Sequence, residues 1–412
     1  MKKIAVIGGG AAGLMAAGES ARLGAEVTLF EKNEKLGKKL AITGKGRCNV
    51  TNLCDINEFL SNVATNPKFL YSALNYFSVR DCMDFFENLG VKLKIERGKR
   101  VFPASDNAFD IVDALKKFAK INGVNLKFAK AEKILIEHNQ VAGLIANGHK
   151  YSFDSVIICT GGVSYPGTGS DGDGYKFAKE AGHHIIDLKP SLVPIEIKEK
   201  FCADLMGLSL KNIKLYVYEN NKKIFEEMGE MLFTHFGISG PLVLSASSHI
   251  RKIDEQNYKI RVDLKPALSE EQLDKRILSD FDKYKNKNFS NSLDDLLPKK
   301  LIPVFVGILA DTANINPDKK INEITKTERL EIVKLLKNFD MTVKRFRPIE
   351  EAIITCGGVD TKEILSNKME SKLVKGLYFA GEIIDVDAYT GGFNLQIAFA
   401  TGKLAGKNAS EG

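Results

Sequence analysis

The sequence contains no long hydrophobic run. Its longest apolar stretch, residues 301–310, is interrupted by Pro303 and Gly307, whereas a membrane-spanning helix needs ~20 apolar residues. Lys2 and Lys3 precede only four apolar residues before glycines begin, too few for the core of a signal peptide. No membrane association and a cytoplasmic location are expected. Cysteine is sparse and scattered, at 48, 54, 82, 159, 202 and 356. No pair has Cys-x-x-Cys spacing with nearby histidine, so no metal site is expected. Proline is 11 of 412, below the usual ~5%, which excludes a Pro-rich chain. Charge of one sign is not concentrated either. The net +7 divides into +3 over residues 189–354 and +4 over the rest, so a polyanionic partner is allowed but not demanded.

Glycine is where the information lies. The apolar run Ile4, Ala5, Val6, Ile7 leads into Gly8-Gly9-Gly10-Ala11-Ala12-Gly13. A helical pattern then runs to Leu23, and residues 27–30 read as a second strand ending at Glu31 and Lys32. This is the strand–GxGxxG–helix–strand–acid order of a dinucleotide-binding unit. Gly8 makes the turn, Gly10 lets backbone approach a pyrophosphate, and Gly13 lets the helix sit close to the sheet. The helix N-terminus offers N–H groups to phosphate. Glu31 accepts bonds from a ribose diol and repels a 2′-phosphate, which selects FAD or NAD over NADP.

The C-terminus favours FAD. A strand at residues 377–380 runs into Gly381-Glu382, and ten residues on Gly391-Gly392-Phe393-Asn394-Leu395-Gln396 opens a helix with Ala398, Gly402 and Gly406 on one small face. A second Gly-rich unit suits a flavin, whose reduced ring carries negative charge that a helix N-terminus stabilises. Between them, the buried run at 156–159 ends in Thr160-Gly161-Gly162.

These motifs resemble the flavoproteins with two dinucleotide-binding folds, and within them the BaiN-like (RdsA-like) NAD(P)/FAD-dependent oxidoreductases. The resemblance covers essentially the whole chain. It is carried by residues 37–52, which include Gly46-Arg47-Cys48-Asn49, by residues 160–166, by Thr234-His235-Phe236-Gly237-Ile238-Ser239-Gly240-Pro241, and by Met369-Glu370-Ser371-Lys372 with the 381–396 segment. Lys45 stands where the family usually has a third glycine. The implied fold class is α/β: a discontinuous Rossmann-type FAD domain, 1–188 and 355–412, with an inserted substrate domain, 189–354, β-rich over 189–265 and largely helical over 266–354. Ser269 with Gln272 reads as a capping box, and Thr327 as the cap of a helix over 328–339.

The resemblance implies FAD as cofactor and NADH or NADPH as transient reductant, since the insert has no GxGxxG of its own. It places Cys48 beside the flavin ring and the insert over the ring's reactive face, which makes Cys48 and His235 the candidate proton donors. A Cys48–Cys54 disulfide-reductase pair fits the spacing poorly. Lys39, Lys45 and Arg47 could face flavin phosphates, an anionic substrate or solvent. The basic run Lys92, Lys94, Arg97, Lys99, Arg100 could touch nucleic acid or be a solvated loop. The activity expected is reduction of a carbon–carbon double bond, in a large-subunit rRNA uridine or in a bile acid or other small molecule. A flavin-holding RNA-binding or assembly protein without turnover is the alternative from another class.

Overall fold

The computed structural model describes residues 1–253 and 255–411. The chain divides into two compact units, Met1–Ser191 with Pro348–Gly412, and Leu192–Arg347. These boundaries fall three residues later and seven earlier than the sequence suggested. The reason is local: the outgoing strand Ile185–Ser191 and the returning strand Ile354–Val359 pair antiparallel, Ile185 with Val359 and Ser191 with Ile354.

The first unit is built on a seven-stranded sheet. Lys3–Ile7 is the middle one of its five parallel strands, next to Glu26–Glu31 on one side and Ser155–Ile158 on the other. Asn125–Phe128 and Leu377–Phe379 extend the parallel part outward, and two short antiparallel strands finish one edge. Ile4 through Ile7 are all buried, the continuous apolar pattern of a strand covered on both faces. The helices Ala11–Arg22 and Phe393–Glu411 pack so closely that a Cβ on Gly406 would lie 2.5 Å from the Ala16 carbonyl. Ser20 seals the contact, its hydroxyl donating to the Gly406 carbonyl at 2.9 Å. The small face of the last helix therefore meets Ala12, Ala16 and Ser20.

The second unit is a closed six-stranded antiparallel barrel. Its order is Ile195–Ile197, Gly237–Ser239, Lys222–Thr234, Ser209–Glu219, Tyr258–Asp263 and Phe339–Phe346. Ile213, Leu215 and Val217 point inward and Lys214, Tyr216 and Tyr218 outward, the period of two of a strand with one buried face. Asn220 and Asn221, both at positive φ, make the two-residue turn between the long strands, as such hairpins require. The part expected to be largely helical holds Glu270–Lys283, Ile302–Ala313 and Lys326–Lys337, but ends in the strand Phe339–Phe346 that closes the barrel. Ser269 and Gln272 form the expected capping box. For the later helix the cap is Thr325, not Thr327: the Thr325 hydroxyl accepts from Glu328 N and the Glu328 carboxylate accepts from Thr325 N. Among the described residues no helix is long and apolar enough to cross a membrane.

Candidate functional site

Three turns meet at the carboxyl ends of adjacent parallel strands. Gly8–Gly13 follows Lys3–Ile7, Thr160–Gly162 follows Ser155–Ile158, and Ala380–Glu382 follows Leu377–Phe379. Open α/β sheets bind ligands at this edge, beside the strand where the chain's direction of winding switches. Backbone proximity explains the glycines. A Cβ on Gly8, at φ +103°, would lie 2.6 Å from the Cys159 carbonyl oxygen, and one on Gly13 would run into the Gly8 carbonyl. Around Gly10 there is open space instead. Gly10 caps the Ala11–Arg22 helix without any side-chain bond, so the first-turn N–H groups, Ala12 and Gly13 among them, are left for a ligand.

Glu31 is buried beside this turn. One carboxylate oxygen accepts from Gly9 N (2.7 Å) and the other from the backbone and side-chain nitrogens of Asn33 (both 2.7 Å). The carboxylate thus fixes the glycine loop, with three of its roughly four acceptor sites taken and one on Oε2 left open. Lys32 turns away to Asp171 and Asp173, at 2.5 and 3.0 Å. Partial burial opposes its charge, but the two carboxylates outweigh that and raise its pKa.

At the next turn the ammonium of Lys39 meets Glu382 (2.7 Å) and the Ser164 hydroxyl (2.6 Å), while Glu382 also accepts from Thr355 N at 2.8 Å. Thr355 in turn accepts from Val163 N at 2.9 Å. Ser164, within the 160–166 motif, and Thr355 were not singled out as site residues; Thr355 stands in Thr-Cys-Gly-Gly, a strand running into a glycine pair like Cys-Thr-Gly-Gly at 159–162. Thr160 Oγ1 in this turn and Asn49 Oδ1, next to Cys48 in sequence, are buried without any hydrogen-bond partner. A buried polar atom without a partner is costly, and a ligand that donates to these two would remove that cost. Open space at Gly10, an uncapped helix start and two orphaned oxygens fit an extended dinucleotide such as FAD.

The remaining predicted residues divide into presenters and braces. Gly392, at φ +100°, sits so close to strand Thr51–Asn52 that a Cβ would lie 2.5 Å from the Thr51 carbonyl. Phe393 packs edge-on against Phe59 at 5.1 Å. Asn394 holds the Ala388 backbone at both ends, donating to its carbonyl and accepting from its N–H. Gln396 accepts from the Thr51 hydroxyl and donates to the Phe77 carbonyl. These side chains brace the helix start, and Leu395 is half-buried beside them. Gly46, Gly161, Gly162 and Gly381 shape turns; Gly46, Gly161 and Gly381 are at positive φ. Arg47 is engaged by Glu96 and Asp106 and lies over the Phe102 ring, which accounts for its charge without a phosphate.

Cys48 adopts φ +59° and is fully buried within the first unit. Burial pushes its thiol up to about 12, against a weaker opposing bond from Thr43. Cys48 and Cys54 are both free thiols. His235 is in the second unit, exposed in the turn between Lys222–Thr234 and Gly237–Ser239, edge-on to Phe236 at 5.0 Å. Arg347 lies 4.6 Å from the Phe236 ring centroid, and the hydroxyl of neighbouring Thr234 is buried without a partner.

Comparison with known proteins agrees with this architecture. The HI0933-like protein Rossmann domain model matches residues 2–408. The chain is 32% identical to the 3-dehydro-bile acid delta(4,6)-reductase of Clostridium scindens, over 100% of both chains. It is also 32% identical to the ribosomal RNA dihydrouridine synthase of Haemophilus influenzae, over 96% of this chain and 95% of that one. Among solved structures, a flavocytochrome c3 fumarate reductase matches with TM-score 0.54 at 18% identity, over 100% of this chain and 78% of that one. The 3-ketosteroid delta1-dehydrogenase of Sterolibacterium denitrificans matches with TM-score 0.54 at 13% identity over 100% of both; these two likenesses show the fold. With three glycine turns at the strand ends and relatives matched over nearly their full length, the chain belongs to the HI0933-like family and is an FAD-dependent oxidoreductase.

Proposed function

We propose that this enzyme reduces a carbon–carbon double bond of an acceptor, with NADH or NADPH as electron donor, and that the acceptor is a uridine of large-subunit rRNA. The observation that carries this reading is end-to-end similarity to two enzymes, one named a reductase and the other a dihydrouridine synthase. FAD, when bound, supplies the hydride chemistry. The chain's residues would hold it: first-turn N–H groups of Ala11–Arg22 on the pyrophosphate, Glu31 on the adenosine ribose, Thr160 and Asn49 as acceptors, and Glu382, oriented by Lys39, as a further polar partner. Residues 392–396 would lend the flavin ring a helix N-terminus. The rRNA reading puts the enzyme in the cytoplasm.

Reduction of an alkene also needs a proton. His235 is exposed at its turn and open to solvent. The Cys48 thiol stays protonated at neutral pH but has no open surface. We therefore rank His235 above Cys48. Replacing the true donor should slow reoxidation of the reduced flavin by acceptor ~10²–10⁴-fold and leave reduction by NAD(P)H intact. If His235→Ala and Cys48→Ala both reoxidise at the parental rate, neither is the donor.

The acceptor is tested by mass spectrometry of rRNA nucleosides from a deletion strain. Loss of dihydrouridine, restored by the gene in trans, is expected. Full retention of dihydrouridine, together with reoxidation of the reduced enzyme by a 3-dehydro-bile acid, would move the reading to a small-molecule reductase. The C. scindens relative is the reason to keep that arm. An enzyme not bleached by NADH or NADPH under anaerobic conditions would instead favour a flavin-holding binding protein.

A further inference from the structure

The cations of residues 92–100 take no part in the cleft's bonding, yet the fold holds them at one end of it. They lie on an antiparallel hairpin, Leu93–Glu96 with Arg100–Pro103, which carries five basic residues and one acidic between 92 and 100. The third strand of this small sheet is Thr51–Asn52. The Asn52 amide donates to the Gly98 carbonyl in the hairpin turn (3.0 Å) and to the Gly391 carbonyl at the start of the last helix (3.1 Å). Leu53 N adds a bond to the Lys99 carbonyl at 2.8 Å. One side chain therefore fixes the hairpin tip against the Gly391–Gly392 turn.

The cations here fall into two groups. Lys94 and Arg47 are paired with Asp106, and Lys99 with Glu58. Lys92, Arg97 and Arg100 have no carboxylate partner among the described residues. Lys92 and Arg97 are exposed. Arg100 is braced, its Nε donating to the Arg97 carbonyl at 3.0 Å and its guanidinium 5.9 Å from the Phe102 ring centroid. Ile95, on the opposite face of the hairpin, is 52% exposed. Positive charges on one short hairpin repel one another; among the described residues none of these three forms an ion pair, and only Arg100, opposite Glu96 and beside the Phe102 ring, is held by the hairpin itself.

We propose that this hairpin docks the phosphodiester backbone of the RNA substrate. Lys92, Arg97 and Arg100 neutralise phosphates while the target base enters the cleft at its Gly391–Gly392 end. The proposal rests on the rRNA reading above. Charge complementarity selects the occupant: a polyanion with evenly spaced phosphates matches three separated cations, whereas a bile acid carries a single carboxylate. Phosphate contacts of this kind position a substrate without reading its sequence.

The test uses the full-length FAD-loaded protein and unmodified large-subunit rRNA made by transcription, with binding followed across a salt series. The neutral triple variant Lys92→Gln, Arg97→Gln, Arg100→Gln should bind roughly a hundredfold more weakly at ~0.1 M salt, and its log–log salt slope should shrink by about 2. Its flavin content and anaerobic reduction by NADH should match the parent, which separates docking from folding. A charge-conserving triple variant, Lys92→Arg, Arg97→Lys, Arg100→Lys, should keep the parental slope. If the parent forms dihydrouridine in this rRNA and the neutral variant binds with unchanged affinity and slope, the docking surface is elsewhere and the rRNA reading stands. If the parent neither binds nor modifies the rRNA, both fall.

Discussion

The two units handle the backbone in opposite ways. Thirty of the 35 glycines lie in the first unit, and only Gly207, Gly229, Gly237, Gly240 and Gly307 in the second. In the first unit many glycines mark places where backbones meet: Gly8 on Cys159, Gly392 on Thr51, Gly406 on Ala16. In the barrel the core is filled by side chains alternating along strands, as at Ile213, Leu215 and Val217. The first unit brings main-chain N–H groups together at the strand ends, and only residues without Cβ allow that approach. The second unit encloses apolar side chains and needs little of this. Its closest counterpart is Gly237, whose Cβ would collide with the Ile195 carbonyl, directly after the His235 turn.

The contrast is most easily broken at Gly13. Gly13→Val drives a side chain into the Gly8 carbonyl and should abolish most FAD binding, with a destabilisation of about 1–3 kcal/mol or more; flavin content of the purified variant and its thermal melt report both. Full flavin occupancy would mean the loop does not need its tight turn. Glu31→Ala removes charged bonds worth ~1.5–3 kcal/mol each. FAD affinity should fall tenfold or more, read by titrating apoprotein with FAD, and an unchanged affinity would place the ribose elsewhere.

A smaller effect tests a buried histidine of the first unit. His183 Nδ1 lies 3.1 Å from the Glu363 carboxylate and Nε2 2.8 Å from the Ser371 hydroxyl. The order resembles a hydrolytic triad, but Ser371 is buried and its hydroxyl also accepts from Leu373 N and Val374 N, so this is a structural clasp. Burial holds the His183 pKa below 6.5 although Glu363 pulls it up. The unfolded chain therefore takes up this proton more readily than the folded one. Stability is complete above about pH 6.5 and declines as pH falls below it. The melting temperature should drop as pH falls below about 6.5, and less so in His183→Gln; equal pH profiles would show that His183 does not contribute. The smallest effect lies in the second unit. Gly307, inside the Ile302–Ala313 helix, has open space where a Cβ would stand. Gly307→Ala should therefore stabilise by about 0.5–1 kcal/mol, measured by denaturant unfolding, with flavin content unchanged.

How much the sequence disclosed follows the same division. The glycine turns were legible because a backbone requirement writes itself as a residue type at a fixed spacing. Glu31 was legible by its distance from Gly13. Long-range side-chain pairing was not: nothing local marks Lys39 as the partner of Glu382, or Gln396 as the tie between Thr51 and Phe77. Arg47 read as a candidate phosphate ligand because Asp106, which holds it, is distant in sequence. The strand Phe339–Phe346 was missed because it directly follows a helix, and its alternation of buried Phe339, Met341 and Val343 gains meaning only from its pairing with Tyr258–Asp263. The cap at Thr325 rather than Thr327 shows how two threonines near one helix start leave its boundary open until bond geometry decides.

We assign the strand ends of the first unit as the place where FAD is held without a covalent bond. The most direct test is to denature the purified protein and to identify and count the flavin released. FAD is expected, one per chain and free of covalent attachment. FMN, a flavin that stays with the denatured chain, or a protein that neither carries FAD nor takes it up would contradict it.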